Sequence, residues 1–167
     1  MTNNKLTITK AGCEEAPLLA ALIQRAYKDV AERFGLTPDN CPKHPSNYTA
    51  DWIEKDFARG VIYCILERDD RPVGCAAIEN AGPEICYLER LAVLPDYRRN
   101  GYGRKLADHV LTKAKARGAK QVGIGIIAEQ TDLKQWYQKI GFVEGETKKF
   151  EHLPFQVTFM TYRLQER

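Results

Sequence analysis

Two closely spaced glycines within a run of arginines give the chain its clearest sign of chemistry. Gly101 and Gly103 follow Arg98 and Arg99, and Arg104 comes next. Glycine has no Cβ, so the backbone here can bend sharply and approach a ligand closely. A helix that begins at this point presents N–H groups that lack carbonyl partners and carry partial positive charge. The segment therefore predicts a binding site for a phosphate or pyrophosphate.

The charge of this turn favours the same interpretation. Arg98, Arg99, Arg104 and Lys105 repel one another at a helix start and oppose the positive end of the helix dipole. A bound anion offsets that penalty, whereas an ordinary capping turn with solvated arginines gains nothing from it. We therefore favour anion binding over capping alone.

The elements around the turn predict an α/β fold with a mixed sheet. Hydrophobic periodicity gives strands near 6–9, 61–66, 72–78, 85–93, 121–127, 142–148 and 155–164, and helices near 17–33, 49–57, 101–117 and 132–140. Strand 85–93 is mostly apolar on both faces and should lie centrally. Only a crossover connection joins it to 121–127, so this pair should be parallel.

Composition and charge indicate one soluble globular domain over residues 1–167. Hydrophobic residues make up 44% of the chain and charged residues 28%, and the net charge is +3. No apolar run approaches the length of a membrane span, and the first residues lack a signal-peptide pattern. We expect a cytoplasmic protein without membrane association. The mild net charge fits a small polyanion and nucleic acid equally well, but the lack of an interleaved aromatic platform and of an extended basic stripe argues against nucleic acid as a partner.

The five cysteines indicate structural thiols and no metal. Cys64, Cys75 and Cys86 lie in apolar, strand-like runs, which is typical of reduced and buried side chains. Cys41 and His44 have ligand spacing, but no second pair at ligand spacing follows them. An ordinary loop is therefore the better interpretation of that segment.

The glycine-rich turn resembles the signature of the GNAT superfamily of N-acetyltransferases. That signature is a strand followed by Arg/Gln-x-x-Gly-x-Gly/Ala at a helix start, and residues 98–103 read Arg-Arg-Asn-Gly-Tyr-Gly. Residues 136–142, Trp-Tyr-Gln-Lys-Ile-Gly-Phe, are similar to the family's second block, aromatic-Tyr-x-x-x-Gly-Phe. The resemblance implies a central mixed, mostly antiparallel sheet with a splayed parallel strand pair and flanking helices.

The resemblance also implies the reaction and the cofactor. An acetyl group would pass from acetyl-CoA to a primary amine of a small molecule or peptide, by direct attack in a ternary complex. A homodimer is implied by analogy. In the family, the turn holds the pyrophosphate, while the preceding strand and a side chain before the second block contact the pantetheine arm. The matching positions are Arg98, Arg99, Asn100, Gly101, Tyr102, Gly103 and Arg104 for the pyrophosphate, and Leu91, Ala92, Val93 and Gln130 for the arm.

Glu89 is the candidate general base. An alkyl amine with a pKa of about 10.4 is mostly protonated at pH 7 and must lose a proton before it attacks. Simple alternation places Glu89 on one face with Ile85, Tyr87, Leu91 and Val93. Lost hydration on that apolar face would raise the pKa of the carboxyl. A bulge near this point, common in the family, would break the alternation. An ion pair with a nearby Arg or Lys is the competing interpretation.

Tyr137 is the candidate acid. It matches the family tyrosine that gives a proton or a hydrogen bond to the leaving sulfur, and a pKa of about 10 suits that exchange. The competing interpretation is core packing, since Tyr137 shares a helix face with Leu133 and Ile140. A backbone N–H near Leu91 or Ala92 would stabilise the oxyanion that the attack creates.

Two further functions compete with acetyl transfer. Residues 123–128 fit the dinucleotide pattern Gly-x-Gly-x-x-Ala, but these glycines alternate with apolar residues inside a strand and do not open a helix. A non-catalytic acyl-CoA sensor would keep the glycine-rich turn and would need neither Glu89 nor Tyr137. Because both residues are present, the sequence favours an enzyme.

Two irregular segments should shape the acceptor site. They are 36–49, which includes Asp39, His44 and Tyr48, and 148–154. Long loops inside compact domains are often functional. Their mixture of acidic, basic and aromatic groups leaves the class of amine open.

Overall fold

A seven-stranded sheet forms the centre of the computed structural model, which describes residues 5–164. The strands are β1 (Leu6–Lys10), β2 (Ile62–Arg68), β3 (Arg71–Asn80), β4 (Ile85–Val93), β5 (Gln121–Ile127), β6 (Val143–Lys149) and β7 (Gln156–Arg163). The helices are α1 (Ala16–Phe34), α2 (Ala50–Ala58), α3 (Tyr102–Ala116) and α4 (Thr131–Ile140). The predicted element order is confirmed, with helix and strand ends within about two residues of those predicted.

The strand order is β1-β2-β3-β4-β5-β7-β6, so β4 is central as predicted. Neighbouring strands are antiparallel except β4 and β5, which are parallel. The mixed, mostly antiparallel sheet is therefore confirmed. The dinucleotide interpretation is wrong, because Gly123 and Gly125 lie inside β5 and open no helix.

Two hydrophobic cores lie on opposite faces of the sheet, because successive strand residues point to opposite sides. One core joins α3 and α4 to the sheet, and the other joins α1 and α2 to it. Cys64 and Cys86 belong to the first core and Cys75 to the second, and all three are free thiols, as predicted. Leu18 lies at the edge of the buried face of α1 and is exposed.

The parallel strands separate soon after they meet. Their register holds for three pairs, the last of which joins Tyr87 to Gly123. Beyond it, β5 stays paired with β7 along its full length, while β4 continues to Val93 without β5 beside it. The predicted splayed pair is confirmed, and it leaves a cleft between the two strands.

A bulge in β4 changes which side chains share a face. Arg90 has a φ of 50°, and the pairing with β3 shifts so that Ala77 faces Glu89 while Cys75 faces Ala92. An extra residue in one strand reverses the alternation that follows it. Glu89 therefore lies with Ile85 and Tyr87, whereas Leu91 and Val93 pack toward the α3 core. The predicted face that grouped all five residues is wrong for the last two.

Within residues 5–164, none of the helices has the length and apolar character that crossing a membrane requires.

Candidate active site

The glycine-rich turn after β4 presents unpaired N–H groups at the start of α3. Arg99 and Gly101 have φ angles of 67° and 78°, in the left-handed region that glycine adopts easily. The ladder of α3 begins when the Lys105 N–H donates to the Gly101 carbonyl at 3.1 Å. Within residues 5–164, the N–H groups of 101–104 have no backbone or side-chain acceptor. Four converging donors at a helix start suit an anion.

Arg98 holds the turn in place through contacts with α1 and β4. Its Nη1 lies 2.7 Å from Oδ2 of Asp29 in α1, and its Nε donates to the Val93 carbonyl at 3.1 Å. Burial raises the pKa of Asp29, but the hydrogen bond and charge of Arg98 outweigh it and lower the pKa. The sequence analysis placed Arg98 among the anion ligands. In the structure its guanidinium ties the turn to α1, and Arg98 also lines the cavity that begins at this turn, so its role toward an anion stays a prediction.

Two other polar side chains of the turn are also engaged. Asn100 donates through Nδ2 to the Tyr97 carbonyl at 2.9 Å and to the Arg98 carbonyl at 3.2 Å, which braces the loop. The Arg104 Nε lies 3.1 Å from Asp108 one helical turn later, in a solvated pair of small energetic value. Arg99 is exposed beside the unpaired N–H groups.

Two cavities meet in the cleft between β4 and β5. The turn cavity, of about 540 Å³, begins at residues 101–104 and passes Leu91, Ala92 and Val93. The sheet cavity, of about 430 Å³, is lined by Glu89 and Arg90 among others. The residues that line both cavities are Tyr27, Val30, Leu91, Gln130, Leu133 and Tyr137. A ligand in one cavity can therefore reach a ligand in the other at this junction.

Tyr137 lies at the junction and is buried. Its ring packs edge-on against Trp136 and Phe142, with centroids 4.9 Å and 5.2 Å away. Burial, followed by the nearby Tyr27, raises the pKa of Tyr137 above its ordinary range. The hydroxyl therefore stays protonated at neutral pH. Tyr137 thus packs in the core, as the competing interpretation predicts. It also lies at the junction of the cavities, where an acid is expected.

Tyr27 is a junction residue that the sequence analysis missed. Its hydroxyl donates to the Leu91 carbonyl at 2.7 Å. This hydrogen bond satisfies a backbone acceptor in the part of β4 that is no longer paired with β5. Burial raises its pKa, so it too stays neutral. The spacing of Ile23, Tyr27 and Val30 at i, i+4 and i+7 could have placed it on the inner edge of α1.

Glu89 faces the sheet cavity beside Arg90. Its Oε2 lies 3.0 Å from Nη1 of Arg90, and its side chain is 31% exposed. Burial raises the pKa of Glu89, Arg90 lowers it, and Glu79 on the next strand raises it again, with a net increase. The carboxyl is thus both ion-paired and easier to protonate than an exposed glutamate.

A buried cluster around Asp56 fixes the bulge, and sequence patterns gave no sign of it. Asp56 Oδ2 accepts hydrogen bonds from Tyr48 at 2.8 Å and from Tyr63 at 2.6 Å. Arg90 Nη2 lies 3.2 Å from the same oxygen, and Arg90 Nε donates to the Tyr63 hydroxyl at 2.6 Å. The Tyr48 ring also covers the guanidinium, 4.8 Å from its centroid. The cluster therefore orients the arginine that contacts Glu89.

The loops expected to shape the acceptor site do so in part. His44 and Tyr48 line the sheet cavity, but Asp39, which is exposed earlier in the loop, does not. Burial lowers the pKa of His44 to about 4, so this ring is neutral at pH 7. Instead of 148–154, the start of β7 and the preceding Phe155 complete the wall.

Residues 19–142 match the Acetyltransferase (GNAT) family. The chain belongs to this family. An amino-acid acetyltransferase of Neisseria meningitidis serogroup A is 31% identical to this GNAT protein over 150 residues, which cover 89% of the chain and 29% of that relative. The chain thus spans less than a third of the length of that relative.

Solved GNAT structures share the fold. A PaiA N-acetyltransferase from Thermoplasma acidophilum, in complex with coenzyme A, superposes with a TM-score of 0.79 at 15% identity, over 95% of this chain and 99% of that one. The ribosomal-protein-S18-alanine N-acetyltransferase from Escherichia coli gives a TM-score of 0.77 at 17% identity, over 98% and 96% of the two chains. The GNAT-type sheet implied by the two sequence motifs is confirmed.

Asp56→Asn should lower the free energy of unfolding by about 3–5 kcal/mol at pH 7, because it removes the buried one of the two carboxylates that pair with Arg90 and leaves only part-exposed Glu89. Burial raises the pKa of Asp56, but hydrogen bonds from Tyr63, Tyr48 and Arg59 and the charge of Arg90 lower it overall. This stabilisation exists above the unfolded value of 3.8 and is lost as pH falls through the folded pKa. Urea unfolding at pH 7 and pH 3 measures both effects.

The control is Asp51→Asn, which removes an exposed pair with Lys55 in the same helix. It should lower the free energy of unfolding by less than about 1 kcal/mol at either pH. Equal losses for the two variants at pH 7 would contradict the role given to the Asp56 cluster.

Proposed function

We propose that the protein transfers an acetyl group from acetyl-CoA to a primary amine in a ternary complex. The observation that carries this proposal is the meeting of the two cavities at Tyr137. One cavity begins at four unpaired N–H groups that suit a pyrophosphate, and the other contains a carboxyl that suits an amine. Family membership and the coenzyme A complex of a relative with the same fold support this assignment.

The fit to acetyl-CoA rests on the lining of the turn cavity. Its pyrophosphate would bind the N–H groups of 101–104, with Arg99 beside them, and its pantetheine arm would lie along Leu91, Ala92 and Val93. Gln130, which lines both cavities, replaces the Asn that the family often has, and its amide can donate and accept. The thioester supplies the activated acetyl group at the junction.

Glu89 acts as the general base in this proposal. The acceptor enters as an ammonium ion, and Glu89 takes the proton that must leave before nitrogen attacks the thioester carbon. The raised pKa of Glu89 brings the carboxyl closer to the pKa of the amine and eases this transfer. Arg90 stays fully charged in the Asp56 cluster and keeps the carboxyl oriented.

Tyr137 stabilises the leaving sulfur in this proposal. As the new C–N bond forms and the C–S bond breaks, negative charge passes to oxygen and then to sulfur. A backbone N–H near Leu91 or Ala92 receives the charge on oxygen. The pKa of Tyr137 lies above the value of about 8.5 for a free thiol, so its main contribution is a hydrogen bond to the developing thiolate. Solvent then protonates the released thiolate.

Three broader statements stay predictions. We propose that residues 1–167 form one N-acetyltransferase domain, that two copies form a homodimer, and that the protein is cytoplasmic. Relatives act on amino acids or on a ribosomal-protein alanine, and both acceptors are amines, which is consistent with the proposed reaction.

Gly101→Glu should weaken coenzyme A binding by about a hundredfold, or ~2.7 kcal/mol, because the carboxylate faces the pyrophosphate. Isothermal titration calorimetry measures the binding. Gly118→Glu is the matched control, since Gly118 also has positive φ and open space around it but lies beyond the other end of α3. Both variants carry similar backbone strain. Equal affinities would refute the assignment of the turn to the pyrophosphate.

Tyr137→Phe should lower kcat by about a hundredfold and leave coenzyme A affinity within about twofold, because it removes only the hydroxyl donor. Steady-state rates and calorimetry separate these quantities. Tyr162→Phe, on the neighbouring β7 and outside both cavities, should change neither. An unchanged kcat for Tyr137→Phe would remove the proposed acid.

Glu89→Gln should lower kcat by about a hundredfold and remove the rise of kcat with pH on the acidic side. In the natural protein, this rise should have its midpoint above 4.5, because the folded pKa is raised and the base works only when ionised. The measurement is kcat against pH at saturating acceptor, with Glu67→Gln in β2 as control. Overlapping profiles for Glu89→Gln and the natural protein would point to another base.

A further inference from the structure

The charged residues that line the sheet cavity can balance the charge of one ammonium ion. Among the described residues of that lining, Glu89 is the one acid, while Lys43 and Arg90 are basic. The charge of Arg90 is already met by Asp56 and Glu89, at 3.2 Å and 3.0 Å. A ligand that places its reacting amine at Glu89 therefore finds no second carboxylate among the described lining residues, where the charged side chain that remains, besides Arg90, is exposed Lys43.

The wall of this cavity is apolar and partly exposed. Tyr87 and Phe159 both line the cavity, with exposures of 41% and 38%. Val157 and Phe155 extend the same wall. Contact with an apolar ligand would remove this surface from water and contribute to binding.

Two glycines in β5 set how the rings lie. A Cβ on Gly123 would come within 3.0 Å of Cδ1 and Cε1 of Tyr87. A Cβ on Gly125 would come within 3.3 Å of Val157 and 3.6 Å of the Phe159 ring. Glycine inside a strand marks a close approach of this kind. The rings therefore lie close against the backbone of β5, and the space above them belongs to the cavity.

The apolar wall begins one strand step from the reacting group. Tyr87 and Glu89 lie two residues apart on the same face of β4, before the bulge. Side chains at that spacing are about 7 Å apart. When the amine nitrogen lies at Glu89, the carbon atoms attached to it therefore lie against Tyr87. The stretch between the two side chains is about as long as one aromatic ring.

We propose that the acceptor is a primary amine carried by an aromatic or extended apolar body that has no second positive charge. This inference rests on the proposed acetyl transfer and adds the class of acceptor. Glu89 receives the ammonium group, and Tyr87 and Phe159 cover the body of the ligand.

The first experiment compares two amines of equal length. Hexylamine and 1,5-diaminopentane differ by a methyl group in place of the second ammonium, and phenethylamine tests the aromatic body. Coenzyme A release from acetyl-CoA gives kcat/KM for each amine with the full chain. We expect hexylamine to exceed the diamine by about tenfold or more, and phenethylamine to equal or exceed hexylamine.

The second experiment tests the wall itself. Phe159→Ala should lower kcat/KM for phenethylamine by about tenfold, mainly through KM, and Phe159→Leu should restore most of that loss. Coenzyme A affinity should not change in either variant. Leu18→Ala is the matched control, because Leu18 is a similarly exposed apolar side chain on α1 that lines neither cavity.

The outcomes separate this inference from the acetyl transfer on which it rests. Free glutamate and an alanine-initiated peptide are assayed in the same way, and a preference for either of them or for the diamine would overturn the acceptor class and leave acetyl transfer standing. Equal losses in Phe159→Ala and Leu18→Ala would also overturn it. Binding of coenzyme A without acceleration by any of these amines would overturn both proposals.

Discussion

The separation of β4 from β5 after three residue pairs is the constraint on which the site depends. Buried backbone groups need hydrogen-bond partners, so a strand can leave its neighbour only where something else satisfies it. Tyr27 occupies the Leu91 carbonyl, and the Arg90 bulge is held by the Asp56 cluster. These contacts keep the two strands apart, and the cleft between them connects a cavity on either side.

The two ends of the cleft differ in charge. At the turn, helix N–H groups and Arg99 collect positive potential where a diphosphate would lie. At Glu89, burial and a neighbouring carboxyl make protonation easier. Tyr137 lies between them and stays neutral. In the proposed reaction, an anionic cofactor and a cationic acceptor would be drawn to opposite ends, and the reacting atoms would meet beside the neutral Tyr137.

Patterns that are local in sequence were predictable, whereas contacts between distant residues were not. The glycine-rich turn, the second block and the strand periodicity depend on residues within one or two turns of each other. The contact from Tyr27 to Leu91 spans 64 positions, and Asp56 and Arg90 meet only through the fold. The bulge entered the sequence analysis only through the family resemblance, because its positive φ falls on an arginine, whereas a glycine or asparagine would have signalled it. That one residue moved Leu91 and Val93 to the other face.

The placement of the cysteines determines how well a thiol-reactive dye can follow the release of coenzyme A during turnover. Four of the five lie in the interior, where burial raises the pKa of each of these four side chains, to about 11 for Cys64. A sulfhydryl dye reacts with the ionised form and reaches such groups slowly. Exposed Cys13 alone gives a prompt protein signal, so the background stays near one equivalent per chain. The same residue offers a single attachment point for a fluorophore outside the lining of both cavities.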